Sequence, residues 1–368
     1  MGAINVKHTG AGADIALSSD GTSLLLDGTA IGGGGAALEL YAENPSSPTA
    51  PSATGTNAVA IGTGSVSSAS TSVAIGDRTE ATANQTVAIG SLNTRCSSIQ
   101  GVAIGAARAT GLLGSVAIGG YGSGYSVASN NYSIALGRSN SSGGASFAAA
   151  ITNNTSSYGA TGANSVAMGQ YSRATGGGGI SIGSAFARAD GSQSVAIGRN
   201  VHATDSNSMA LGNEAVSDVR GKLAYSGGKI SATGDSQYGL CVLRQQTTDA
   251  TASVMKTTAY NANPSADNQI ILPNNSAYAF HGTIVARQQA SQGTASAAWK
   301  IEGLIRREGS AGTTVLVNSA TTVLDNTPAW GMAITADTTN GGLAITVTGA
   351  ASTNVRFVAT INTSEVTY

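Results

Sequence analysis

Charge is what this sequence is shortest of: only 10% of its 368 residues are Asp, Glu, Lys or Arg, where about 25% is usual. The formal net charge is −1, so nothing electrostatic draws the chain to nucleic acid or an anionic bilayer, and neither is expected as a partner. Proline is also scarce, with six residues. Few charges and few prolines argue against a solvated, disordered chain. The two cysteines, Cys96 and Cys241, are far apart and outside any metal-ligand spacing; both are expected as reduced, partly buried thiols. No apolar run is long enough to cross a bilayer as a helix, so no membrane insertion is expected. The opening stretch Met1 to His8 has one lysine and no apolar segment behind it, which predicts synthesis in a cytoplasm without a secretory signal.

Catalytic and metal chemistry is equally thin. The three histidines, His8, His202 and His281, are scattered. None forms a zinc-type pair, and none accompanies a Gly-x-Ser-x-Gly turn. The Gly-rich runs at residues 32–35 and 176–179 precede no helical pattern, so they read as turns and not as phosphate cradles. Glycoside hydrolysis needs two carboxylates about 5–10 Å apart. Among Asp77, Glu80, Asp190, Asp205 and Glu214, only Asp77 and Glu80 are close in sequence, and a solvated turn is the better reading of them. No catalytic residue, metal or cofactor is expected, and the chain is not expected to be an enzyme.

What the chain does have is glycine, 50 residues of it, and a repeat. The pentapeptide Ser-Val-Ala-Ile-Gly or a variant places its fourth residue at Ile61, Ile75, Ile89, Ile104, Ile118, Leu136, Met168, Ile182, Ile197 and Leu211, and Ser146 to Ala150 is a degenerate copy. Spacings are mostly 14 or 15 residues, with intervals of 18 and 19 where loops are inserted. Between pentapeptides runs a second short segment, as in Ser172-Arg173-Ala174-Thr175-Gly176. Two alternating segments per unit, separated by turn residues, predict one coil of two strands. Eleven such coils, stacked at about 4.8 Å, would make a parallel β-solenoid rod of roughly 50 Å.

Within each pentapeptide, alternation puts Val and Ile on one side and Ala on the other. So small a coil can be filled by Ala and Ser. The branched residues then form an apolar stripe along the outside, too large to leave in water. A homotrimer packed on that stripe is expected, with sheet stacking in a dimer as the alternative that periodicity alone leaves open. Its core candidates are the pairs Val59/Ile61, Val73/Ile75, Val87/Ile89, Val102/Ile104, Val116/Ile118, Val166/Met168, Ile180/Ile182, Val195/Ile197 and Met209/Leu211.

Stretches such as Asn164-Ser165-Val166-Ala167-Met168-Gly169 and Gln193-Ser194-Val195-Ala196-Ile197-Gly198 resemble the head repeats of YadA-like trimeric autotransporter adhesins. The likeness runs from about Asn57 to Asn213. It implies a left-handed parallel β-roll, trimeric assembly and adhesion to host surfaces. The export signal, coiled-coil stalk and membrane barrel of that family have no counterpart expected here. Residues 234–237, 244–250 and 270–273 resemble instead the C-terminal parts of bacteriophage tail fibre proteins.

Three regions follow: 1–50, an attachment module ending in a linker with Pro45, Pro48 and Pro51; 51–218, the roll; and 219–368, with alternating runs around Tyr278, Trp299 and Phe357 that predict an antiparallel, jelly-roll-like β-sandwich serving as cap or receptor-binding domain. The whole is expected to be all-β. The expected role is a virion tail fibre joined to tail or baseplate proteins, recognising a host-surface glycan or protein. A bacterial surface adhesin ranks second and a polysaccharide-cleaving tailspike third. Receptor-binding candidates are the tyrosines of the two long intervals, Tyr121, Tyr125 and Tyr132 in one and Tyr158 in the other, since tyrosine stacks and hydrogen-bonds at once.

Overall fold

In the computed structural model, each pentapeptide is a strand and each intervening segment a second one. The structure describes residues 49–368 apart from 92, 122–123, 152–156 and 326–329. Of residues 1–48 it describes only the backbone of short strands. Ile4–Val6, Ile15–Ser19, Leu24–Leu26 and Thr29–Ile31 form an antiparallel meander, and Glu39–Leu40 pairs in parallel with Val59–Ile61. The rest of the expected attachment module, Pro45 and Pro48 included, lies outside the described residues.

Twelve pentapeptide strands stack in parallel, from Val59–Ile61 to Leu223–Ser226. Their register puts Val on Val, Ala on Ala and Ile on Ile, as in Val73, Ala74 and Ile75 on Val87, Ala88 and Ile89. The degenerate copy takes its place, with Phe147 between Ile134 and Val166. A second parallel row runs from Ser52–Ala53 to Val216–Ser217. Between the rows lies a column of small residues. Ala60, Ala74, Ala88, Ala103 and their successors face Ala81, Cys96, Ala109 and theirs, all fully buried. Cys96 occupies an alanine place, which explains an isolated cysteine there.

The turn chemistry accounts for the rest of the motif. The residue before the pentapeptide's Ser sits in the left-handed region, as at Asn57, Asn164 and Asn207, with φ of 56–57°. Asn tolerates that conformation better than most residues. The Ser is buried and donates its hydroxyl back to the turn, as Ser165 does to the Gly162 carbonyl at 2.6 Å. The closing glycine is steric: at Gly198, with φ 138°, a Cβ would overlap the Gly212 carbonyl oxygen of the next coil.

The twelfth coil is one more than the repeat suggested. Its motif reads Lys222-Leu223-Ala224-Tyr225-Ser226, with Lys222 where Ser belongs. The buried Lys222 ammonium meets the Glu365 carboxylate at 2.8 Å. The first sheet then continues without a break. Leu223–Ser226 pairs antiparallel with Ser236–Thr247, followed by Val355–Thr367, Ser276–Gln288, Ser296–Arg307 and Val315–Asp325. A smaller sheet, Gly331–Asp337 with Gly342–Thr348 flanked by Ser253–Val254 and Ile270–Ile271, covers it. Leu243, Ile284, Trp299, Ile345 and Phe357 fill the space between, with Phe357 between the Trp299 and Trp330 rings.

The second sheet stops at Val216–Ser217, and side chains finish it. Gln237 accepts from the Val216 amide at 2.8 Å and donates to its carbonyl at 2.9 Å, as a neighbouring strand would. The loop beside it is tied by Asp235, whose carboxylate accepts the amides of Ile230, Ser231 and Ala232 at 2.5–2.9 Å. A sheet end left bare would be an aggregation hazard, and here it is closed.

Candidate functional site

Two surfaces of the roll differ sharply. On the first sheet, Val59, Ile61, Val73, Ile75, Val87, Val102, Ile104, Val116, Val166, Ile180, Ile182, Val195 and Leu211 are half-buried. Ile89, Ile118, Met168, Ile197 and Met209 are 36–42% exposed. All of them point outward and none is buried by the chain itself. The stripe continues past the motif through Tyr225 and Tyr238, which face each other across the last parallel coil and the first antiparallel strand.

The second sheet carries the opposite chemistry. Its outward positions hold Glu80, Arg95 and Arg108 in one stretch and Arg173, Arg188 and His202 in another, in register coil after coil. Asp77 and Glu80 do not face each other as an acid/base pair. Asp77 meets Arg78 at 3.4 Å and Glu80 meets Arg95 at 3.3 Å, all of them open to solvent. Asp190 accepts from Arg173, with Nε at 2.9 Å, and from Thr175 at 2.8 Å. Burial works to raise the Glu214 carboxyl, but hydrogen bonds from Thr233 and Asn200 and the nearby Lys229 hold it below the usual range. His202 is pushed down, first by burial and then by Arg188. His8 lies outside the described residues.

The four candidate tyrosines do not converge. The backbone of Gly120–Tyr121 forms a small hairpin with Gly124–Ala128, and the Tyr121 side chain lies outside the described residues. Tyr125 lies beneath the Arg108 guanidinium, 4.2 Å from its ring centroid. Tyr132 stands on another corner, 58% exposed and at φ 56°. Its ring lies over Gly114, where a Cβ would meet it at 3.0 Å.

Tyr158 belongs to a group that the sequence did not reveal. Its ring is 5.2 Å from Tyr171 and 6.2 Å from Phe186, and Tyr171 and Phe186 stack at 5.1 Å and 14°. The available signal was an aromatic residue two places before the second-strand arginine, in Tyr171-Ser172-Arg173 and again in Phe186-Ala187-Arg188. A separate cavity of about 510 Å³ lies where the roll meets the sandwich, lined by Val216, Ile230, Asp235, Tyr278 and Val366 among others.

The YadA head domain repeat matches residues 53–79, 67–93, 160–185 and 189–215, about a quarter of the chain. No curated protein matches it. Among solved structures, a tailspike protein of Acinetobacter baumannii bacteriophage Fri1, a capsular polysaccharide depolymerase, aligns at 8% identity and TM-score 0.21, covering 88% of this chain and 74% of that one. The tailspike of Acinetobacter phage vB_ApiP_P1 aligns at 10% identity and TM-score 0.20, covering 87% and 55%. That of Acinetobacter baumannii phage AM24 aligns at 11% and 0.20, covering 79% and 48%. The chain thus spans about half the length of the latter two, and superpositions this loose carry no function across. Residues 53–93, 160–185 and 189–215, which match YadA head domain repeats, lie on the parallel β-solenoid.

Proposed function

We propose that the chain is a non-catalytic adhesion fibre working as a homotrimer, set in a virion tail, with the roll as shaft and the sandwich as its cap. One observation carries this reading: the large apolar residues of coil after coil stand outward and partly exposed, while the interior is filled mainly by alanine and serine. Each fully buried Val or Ile is worth about 1.5–3 kcal/mol, so a stripe of this length drives association. The YadA head repeats support the same assembly. Placement in a virion, with tail or baseplate proteins at one end and a host-surface glycan or protein as receptor, rests on the resemblance of residues 234–273 to tail fibre proteins. The match of the repeats to an adhesin head favours a bacterial surface adhesin as the second reading.

Light scattering on the purified protein tests the assembly: a mass of three times 36.1 kDa is expected, and a stable single-copy particle would refute it. Incubation with host capsule tests the absence of catalysis, because released oligosaccharides would contradict it.

A further inference from the structure

The outward face of the second sheet and the aromatic corner beside it share a short stretch of coils, and three features there have no structural necessity. The first is backbone strain. Tyr171 and Phe186 sit at φ 55° and 64°, a region unfavourable for bulky side chains. The same corner of the next coil uses Asn200, at φ 52°, the cheaper choice. Rings are thus presented where the turn alone would favour Asn or Gly.

The second feature is an unpaired cation. Arg78, Arg95, Arg173, Arg199 and Arg220 each meet a carboxylate, Arg108 lies on Tyr125, and Arg138, like Arg188, makes no ion pair among the described residues. Of the two, Arg188 has its Nε buried without a protein partner. His202, in register beside it, likewise has a buried Nε2 without one. The third is proximity: Phe186 lies two residues before Arg188, and Arg188 has His202 beside it in the next coil. Phe186 is 36% exposed.

We propose that Tyr171, Phe186, Arg188 and His202 form a binding site for an acidic glycan, the rings holding the apolar edge of a sugar and Arg188 its carboxylate. The inference rests on the reading of the chain as a surface-recognition fibre and adds the ligand class and its place. Carbohydrate rings pack on aromatic side chains, and a guanidinium binds a carboxylate through two parallel hydrogen bonds. The scaffold suits a polymer as well. Coils rise by about 4.8 Å, close to the length of one pyranoside, so an extended chain can keep step with successive corners. Arg188 and His202 lie on the sheet opposite the apolar stripe, and the rings lie on the corner beside it.

Calorimetry on the full chain tests this with three probes: polygalacturonate, hyaluronan and free glucuronate. Binding of at least one is expected. Arg188→Ala should weaken it by about tenfold or more, as expected for a lost charge-assisted contact, and a carboxyl-reduced polymer should bind as weakly to the unaltered protein. Phe186→Asn, the residue that the next coil uses, should keep the melting temperature while weakening binding. No binding to any probe by a protein of trimeric mass, or equal binding of the neutral polymer, overturns the site and leaves the fibre reading intact. Shortening of a polymer during the same incubation would instead overturn the non-catalytic reading and leave the site standing.

Discussion

A carboxylate placed in the apolar stripe separates a trimer from a lone chain by magnitude. Ile197 lies between Ile182 and Leu211 in the register of the first sheet and is 42% exposed. If the chain works alone, Ile197→Asp loses only the part of the side chain already covered, about 1–2 kcal/mol, and the new carboxylate keeps its water. If three stripes pack together, the uncovered part contributes a further ~2–4 kcal/mol over the three copies. Three like charges are then also desolvated at one level of the axis, at several kcal/mol each. The trimer variant should therefore lose on the order of 10 kcal/mol per assembly.

Val127→Asp is the matched control. It is half-buried, outward on the opposite sheet, and beside Arg108, so its change should stay small in either case. The assay is denaturant unfolding at several protein concentrations, with mass followed by light scattering. Ile197→Asp should shift the midpoint strongly and make it concentration-dependent, while Val127→Asp leaves it in place. Equal small shifts in both variants, with no dependence on concentration, would refute the argument that the stripe is covered.

Other expectations follow from single positions. Gly198→Ala should destabilise the roll by about 2–3 kcal/mol or more, because a Cβ overlaps the next coil's carbonyl, whereas Gly144→Ala, with nothing near its would-be Cβ, should be close to neutral by thermal melting. Ala145→Gly, at φ 51°, should stabilise by up to about 1 kcal/mol. Burial opposes the Asp235 carboxylate, but the three backbone amides outweigh it and hold its pKa down to about 2. Its contribution is thus present above the ordinary 3.8 and lost as pH falls toward 2; protection of the Ile230, Ser231 and Ala232 amides from exchange, relative to the intrinsic rate at each pH, should fall across that window, and no such fall should appear in Asp235→Asn. Burial likewise opposes the Lys222 ammonium, while Glu365 and Asp218 outweigh it and raise its pKa. That contribution is full below 10.5 and fades only as pH rises beyond it, so the junction should loosen in alkali and not between pH 6 and 9, a difference that a pH series of melting curves would reveal.

The repeat was legible because each motif position answers to one physical demand: a left-handed turn at Asn164, a buried hydroxyl at Ser165, an interior methyl at Ala167, a steric exclusion at Gly169. The twelfth coil was not, because Lys222 satisfies the Ser position by a different route, through Glu365, which lies far away in sequence. The aromatic corner was missed for a related reason. Attention to inserted loops picks out Tyr158 but passes over Tyr171 and Phe186, which belong to regular coils and become neighbours only through stacking. That Arg188 lacks a carboxylate while Arg173 has one depends on which coil Asp190 lies beside, and spacing alone does not give that.

The closing of the roll shows why its two sheets end differently. The first sheet has an antiparallel strand, Ser236–Thr247, to continue its hydrogen bonding, so the apolar stripe passes through Tyr225 and Tyr238 into the sandwich without an edge. The second has none, and Gln237 and the Asp235-tied loop satisfy its last backbone groups instead. Continuity thus falls on the sheet that bears the stripe, and termination on the sheet that bears the polar ladder. Lys222 and Glu365 lock the two where they part.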